Sequence, residues 1–333
     1  MTERSRGCLI GLAVGDAFGA PVEFLSRDAI MRKDPPDGMR TLEPWGCWPA
    51  GHFTDDTQMS VATARGLLDW RRATAWESPA VSGEPDLERL ALAIWGRYQE
   101  WNESGAHTGR APGMTCLGAL NLGIAGTPSR RANDSKGCGG VMRVAPLGCA
   151  GLEGAAFEAG ARAAALTHGH PTSDAASGFH AFLIDRLVTG CDLDDAVAEA
   201  RAALESWPES GEALGAVDSA VRLAGDTSIE AYEAIGRIGA VGVEAPRGSG
   251  KGWVAEEALG IGLYCALRCR DDFAAAVRTA AAITGDSDST ASIAGAILGA
   301  AYGLDVVPPE WVEQVEDRDE LLRLADELAS PAA

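Results

Sequence analysis

Two clusters of carboxylates and hydroxyls carry the chemical potential of this sequence. One is Thr54-Asp55-Asp56-Thr57, early in the chain, and the other is Gly285-Asp286-Ser287-Asp288-Ser289-Thr290, close to its end. Each follows a Gly-containing turn and opens a stretch of helical periodicity: Met59, Ala62 and Leu67 share a face after the first, and Ile293, Ile297 and Ala300 after the second. Four carboxylates drawn into one site would repel and raise one another's pKa, so convergence of the two clusters calls for cations to neutralise them. Oxygen-only donors of this kind suit hard divalent ions, Mg2+ or Mn2+. Helix capping explains part of the pattern, because Thr and Asp are good N-caps and acids suit a first turn. Capping accounts for one carboxylate per cluster better than for two, and the joint occurrence favours a metal site.

Taken alone, the Asp-x-Asp-x-Thr string at 286–290 admits other readings. A calcium loop of the EF-hand type fails, because Ala291 stands where Gly is needed and Ile297 where a bidentate Glu is needed. An aspartate-nucleophile phosphatase of the haloacid-dehalogenase type requires a preceding buried strand, whereas Ala280-Ala281-Ala282-Ile283 continues a helical pattern. That reading is kept as the lesser alternative. The loop Ser135-Lys136-Gly137-Cys138-Gly139-Gly140-Val141-Met142-Arg143 is suited to bringing backbone N–H groups up to a phosphate, and equally to being a turn before the next helix. Arg247-Gly248-Ser249-Gly250-Lys251-Gly252 resembles a P-loop only in part, with Ala245 at the first Gly position and Gly252 where Ser or Thr must meet Mg2+. His168-Gly169-His170 suggests a zinc pair but has no third ligand at suitable spacing, so one histidine facing a pocket is the better expectation.

The elements that must position these groups are helical almost throughout. Ala- and Leu-rich segments near 5–18, 57–72, 86–102, 115–124, 153–166, 173–189, 192–206, 211–224, 253–269, 271–283, 289–303 and 318–328 predict an all-α fold, a single compact orthogonal bundle of about a dozen or more helices. Glycines recur every four residues at Gly7, Gly11, Gly15 and Gly19, and again at Gly295, Gly299 and Gly303, leaving smooth grooves on which a neighbour can pack closely. Long Pro- and Gly-rich connections at 34–53, 78–86, 104–113, 125–140 and 244–252 are of the length that forms sites. The expectation is one domain over 1–333, with 78–86 a candidate loop insertion.

At 333 residues and 46% hydrophobic content the chain can bury a substantial core. A net charge of -20 excludes general nucleic-acid binding and attraction to anionic membranes, while leaving room for a local phosphate site. The eight cysteines are scattered with no Cys-x-x-Cys pair, which argues for reduced thiols. The N-terminal run is broken by Gly11, Gly15 and Asp16 and makes a poor secretory segment. With no apolar stretch near spanning length, a cytoplasmic location is expected.

Six ordered motifs together resemble the ADP-ribosylglycohydrolases, the group that includes dinitrogenase reductase-activating glycohydrolase and the ADP-ribosylhydrolases. They are Gly7-Cys8-Leu9-Ile10-Gly11-Leu12-Ala13-Val14-Gly15-Asp16-Ala17 with Pro21-Val22-Glu23; Thr54 to Thr57; Gly139 to Arg143 with Ala145-Pro146-Leu147; Thr167-His168-Gly169-His170-Pro171; Gly252-Trp253-Val254-Ala255-Glu256; and Gly285 to Thr290. The resemblance implies an all-α fold with two Mg2+ or Mn2+ ions, held by Thr54, Asp55, Asp56, Asp286, Asp288 and Ser289. It implies Glu23 beside the metals in acid–base work, with Asp55 or Asp56 as its catalytic partner. Ser135, Lys136, Gly137, Cys138 and Gly139 would hold a pyrophosphate, and His168 would face the adenosine side. Cys138 departs from the Asn of many relatives, and Thr108 to Thr115 lacks the acid that some nitrogenase-type members carry.

The activity so implied is hydrolysis of the glycosidic bond between ADP-ribose and an acceptor, a modified protein side chain or a small conjugate. A non-catalytic ADP-ribose binder is the rival reading, disfavoured by the retained Glu23 and metal-type residues. The sequence leaves the acceptor and the oligomeric state open.

Overall fold

The computed structural model describes residues 1–33, 35, 38–77, 85–152, 154–238 and 251–330. Sixteen α-helices run in the order α1 Thr2–Gly19, α2 Arg27–Lys33, α3 Asp55–Glu77, α4 Leu87–Ser104, α5 Met114–Leu122, α6 Ala145–Gly148, α7 Ala156–Ala165 and α8 Pro171–Val188. They continue through α9 Leu193–Glu205, α10 Gly211–Ala224, α11 Ala231–Ile238, α12 Ala255–Arg268, α13 Phe273–Ala281, α14 Ser287–Tyr302, α15 Pro309–Gln314 and α16 Arg318–Ala329. Among the described residues there is no sheet, only isolated bridges such as Gly137 with Val254. The fold is all-α.

The twelve helical segments read from the sequence correspond to the longer helices. The short α2, α6, α11 and α15 were not anticipated, since a helix of one or two turns leaves too little periodicity to read. Residues 78–84 and 239–250, which hold most of the candidate insertion and most of the P-loop-like string, lie outside the described residues.

Helices α1 and α14 form the centre. Fourteen of the 18 residues of α1 and 15 of the 16 of α14 are buried, so these helices are enclosed around nearly their whole circumference rather than along one face. The one-sided stripe expected after Asp288 is therefore a fully enclosed helix.

Their contact is the one the glycine spacing anticipates. A Cβ at Gly7 would lie 2.3 Å from the Gly299 carbonyl oxygen, one at Gly11 2.3 Å from that of Gly295, one at Gly15 2.2 Å from that of Ala291, and one at Gly19 2.4 Å from the backbone of Asp288. The two glycine rows face each other, backbone against backbone, along the full length of both helices. The last of these contacts brings the C-terminal end of α1 to the first turn of α14, where the second acidic cluster stands.

Gly11→Ala is expected to destabilise the protein by about 3 kcal/mol, because the methyl meets backbone that has no room to give. Gly118→Ala, at a helical position whose Cβ meets nothing within 4 Å, is expected to hold or raise the thermal midpoint, since Ala is the better helix former. Thermal melts of the two variants check the contrast.

Candidate metal centre

The two acidic clusters meet. Ser289 Oγ donates to Asp56 Oδ2 at 2.8 Å across 233 residues of sequence. Asp55 and Asp56 stand in the first turn of α3, Asp286 is the N-cap of α14 and Asp288 lies in its first turn. Helix N-termini favour anions through their unpaired N–H groups and dipole, so two of them converge on one acidic pocket. Oxygens of Glu23, Asp286 and Asp288 lie within 4.8 Å of one another. Glu23 reaches this cluster because the short 3-10 turn Ala20–Val22 ends α1 there and the Phe24 amide donates to Gly285 O at 3.3 Å.

Several bonds hold the clusters in place. Asp16, fully buried on α1, accepts from the amides of Thr54 and Thr57, both at 2.9 Å, and from Thr57 Oγ1 at 2.6 Å. Asp16 thus ties the start of α3 to the helix that packs on α14. Its Gly15-Asp16-Ala17 setting, an acid inside an apolar helix, was the sequence signal for a structural role that spacing alone did not assign. Asp55 is held by two loop contacts, its amide donating to Arg110 O at 3.0 Å and its Oδ2 accepting from Gly113 N at 3.3 Å. Arg110 in turn pairs in bidentate fashion with Glu316, both bonds at 2.7 Å, beneath Trp48. The 104–113 connection thus supplies both contacts to Asp55.

The electrostatics follow from burial. Asp16, Asp55, Asp56, Asp286 and Asp288 are each no more than 3% exposed. Burial first, then the charge of Asp288, raises Asp55 and Asp56 well above the ordinary aspartate range, and pushes Asp16 up to about 7. Asp286 is raised well above it, and Asp288 is raised too, mainly by burial. Glu23 is pushed up to about 11 by burial, Asp288, Asp286 and Asp55 in that order. These acids cannot all ionise together without added positive charge. Asp288 Oδ1 is buried with no hydrogen-bond partner. An all-oxygen set with an orphaned carboxylate oxygen fits a hard divalent ion.

The anion loop is arranged differently from the expectation in two respects. Lys136 Nζ is engaged by Glu212, at 2.8 Å, and by Glu256, so its ammonium is turned to α10 and α12 rather than offered to a phosphate. His168, 1% exposed, lies behind the loop within packing distance of Gly137 and Gly139, where it supports the loop backbone instead of presenting a face to a ligand. Its Nδ1 meets Thr167 Oγ1 at 2.8 Å, and burial with the nearby Arg143 guanidinium lowers its pKa to about 3, so the ring is neutral. His170 caps α8, accepting from Thr172 N, so the two histidines have separate duties and do not form a zinc pair.

The rest of the loop is fastened to the segment that precedes α12. Cys138 N donates to Trp253 O at 3.2 Å and Ala255 N to Lys136 O at 2.8 Å, while Ser135 Oγ lies 3.0 Å from Thr115 Oγ1. Cys138 Sγ donates to Asp286 Oδ2 at 2.7 Å. Burial and Asp286 push this thiol well above its usual pKa, so it stays a neutral donor. Cys138 therefore touches the acidic centre itself, a contact that the loop reading had not assigned to it. Fully buried Arg143, over the Tyr98 ring, bonds Thr167 Oγ1 at 2.6 Å and Ala163 O.

The Asp-x-Asp-x-Thr string follows helix α13 and opens helix α14, which removes the strand context that an aspartate-nucleophile phosphatase needs. An all-α fold thus carries buried acids at two joined helix starts, a donor set that could hold a hard cation. The ADP-ribosylglycohydrolase family model matches residues 1–333, and the chain belongs to that family of glycosidic-bond hydrolases. It is 27% identical to an ADP-ribosylarginine hydrolase, Tri1, of Pseudomonas putida, covering 98% of this chain and 78% of that protein. It is 25% identical to the ADP-ribosyl-[dinitrogen reductase] glycohydrolase of Rhodospirillum rubrum, over 94% and 90% of the two chains. A solved structure titled ADP-ribosylglycohydrolase-related protein complex superimposes with a TM-score of 0.71 at 26% identity, covering 98% of this chain and 97% of that one.

Asp16 gives a pH prediction. Its folded pKa near 7 exceeds the ordinary value of 3.8, so between these the folded state holds a proton that the unfolded state has lost. Stability of chelator-treated protein should therefore fall as pH rises through that window. Saturating Mg2+ is expected to reduce the slope by the part that the charge of Asp288 contributes. Thermal melts across the window with and without the ion measure it, and the same slope in both conditions would contradict the charge account.

Proposed function

We propose that this protein is a divalent-metal-dependent enzyme that hydrolyses the bond between the anomeric carbon of the distal ribose of ADP-ribose and an acceptor on a protein or small conjugate. The observation that supports this most is the joining of the two acidic helix starts, by Ser289 to Asp56, beside the Glu23, Asp286 and Asp288 oxygens. Thr54, Asp55, Asp56, Asp286, Asp288 and Ser289 would hold two Mg2+ or Mn2+ ions, with Glu23 at their edge. The ions would supply charge neutralisation at the acids and fix the ribose hydroxyls.

The remaining work falls to the chain's own side chains. Glu23, beside Asp286 and Asp288, would give a proton to the departing acceptor as the bond at the anomeric carbon breaks and water bonds to that carbon. A carboxylate of Asp55 or Asp56 takes a proton from the attacking water, so that acid and base flank an oxocarbenium-like transition state. The loop from Ser135 to Gly139 would bear on the pyrophosphate through backbone and Ser135 hydroxyl, with His168 behind it. No single helix among the described residues is long and apolar enough to cross a membrane. The eight unpaired cysteines support a reducing compartment, the cytoplasm. Residues 1–333 would form one catalytic domain acting on ADP-ribosylated proteins or small ADP-ribosyl conjugates.

Release of ADP-ribose from a conjugate panel should be abolished by a chelator and restored by Mg2+ or Mn2+. Asp286→Asn and Asp56→Asn are expected to lower kcat/KM by more than about a hundredfold, since each removes a ligand charge from a centre worth several kcal/mol. Glu23→Gln should lower kcat by about 100- to 10,000-fold with a smaller change in KM, the signature of a lost acid–base group. Full activity of Asp286→Asn would overturn the site assignment.

A further inference from the structure

A cavity of about 240 Å³ opens between α2, α11 and α13, and none of the clustered acids is among its lining residues. Two guanidinium groups from distant parts of the chain stand on its wall, Arg27 of α2 and Arg278 of α13. Neither is closely neutralised. Arg278 donates through Nε to Ala274 O at 3.2 Å and has no carboxylate partner among the described residues. Arg27 lies over the Tyr232 ring, 4.4 Å from its centroid, and the carboxylate paired with it, that of Glu230, is 3.6 Å away, beyond hydrogen-bond length. The other Glu230 oxygen is taken by the amides of Tyr232 and Glu233 at the start of α11. Glu230 is the one acid on the cavity wall among the described residues. In a chain of net charge -20, a lining of two cations and one anion reverses the overall balance locally. The rest of the wall is largely apolar, with Met31, Ala275 and Ala282 beside the buried Ile235. The hydroxyl of Thr279 is spent on Ala275 O at 2.7 Å.

We infer that this cavity is a binding site for a small organic phosphate, its phosphate shared by Arg27 and Arg278 and its organic part resting on the apolar wall. One guanidinium fork satisfies one carboxylate through two parallel bonds. Two forks therefore call for an anion with more than two oxygens and more than one charge, and a phosphate monoester supplies three acceptor oxygens and nearly two charges near neutral pH. The volume sets the size of the organic part. Pockets for drug-sized ligands run from about 300 to 1,000 Å³, so this smaller one suits a sugar phosphate or an aryl phosphate and not a dinucleotide. Its position is fixed by backbone: Arg27 N donates to Thr284 Oγ1 at 2.9 Å, which holds Arg27 beside the turn into α14.

Titration calorimetry of the metal-free protein with phenyl phosphate, inorganic phosphate and benzoate tests the site. Phenyl phosphate should bind saturably, inorganic phosphate about tenfold or more weakly for want of apolar contact, and benzoate more weakly than phenyl phosphate. Arg278→Met and Arg27→Met should each weaken phenyl phosphate by about 10- to 100-fold, the range of a hydrogen bond to a charged group, and Arg278→Lys by less. Asp286→Asn, which strikes the acidic centre, should bind it as wild type does. No saturable binding of phenyl phosphate, or binding unchanged in either methionine variant, would overturn the inference. Loss of binding in Asp286→Asn would place the phosphate at the acidic centre and overturn it too. Benzoate binding as tightly as phenyl phosphate would make the ligand a carboxylate, and inorganic phosphate binding as tightly would leave the apolar wall without a role; either result would contradict an organic phosphate site.

Discussion

Six carboxylic acids, Asp16, Glu23, Asp55, Asp56, Asp286 and Asp288, are crowded into one largely buried place; burial raises the pKa of each, and neighbouring carboxylates raise all but Asp288 further. Three of the cations near the site are engaged elsewhere: Arg110 on Glu316, Lys136 on Glu212 and Glu256, Arg143 on Thr167 and Ala163. Protons or added cations must therefore balance the cluster. Everything else about the centre is arranged to keep these acids together in spite of their repulsion.

The device that does so is backbone contact. Glycines on α1 let α14 approach until their main chains touch, and this sets the end of α1, with Glu23 just beyond it, against the first turn of α14. Asp16 then captures the start of α3 with three hydrogen bonds. One helix therefore fixes the position of both acidic helix starts, one by steric fit and the other by hydrogen bonding. Side chains carried on such rigid elements are placed more narrowly than loop residues could be.

Much of this was legible in the sequence because it depends on spacing. Glycines at intervals of four read as a close-packed seam, and the two acidic clusters read as helix openings that could meet. The roles that spacing left unassigned belong to residues whose meaning lies in a distant partner. Lys136 looks like an anion contact in its own loop, yet Glu212 and Glu256, far along the chain, engage it. His168 looks like a pocket residue, yet the Gly137–Gly139 turn covers it. Asp16 reads as an oddity inside an apolar helix until Thr54 and Thr57 are seen to bond it. The exposed Phe24 owes its position to a positive φ, which the sequence of a non-glycine residue does not announce.

Anomalous scattering from Mn2+ in crystals of the protein tests the central claim most directly. The account expects density for Mn2+ within ligand distance of Asp286 and Asp288 carboxylate oxygens, with Asp55 or Asp56 sharing the site. Crystals at saturating Mn2+ with no ion at these oxygens, and the acids left to hydrogen-bond one another as protonated pairs, would contradict it.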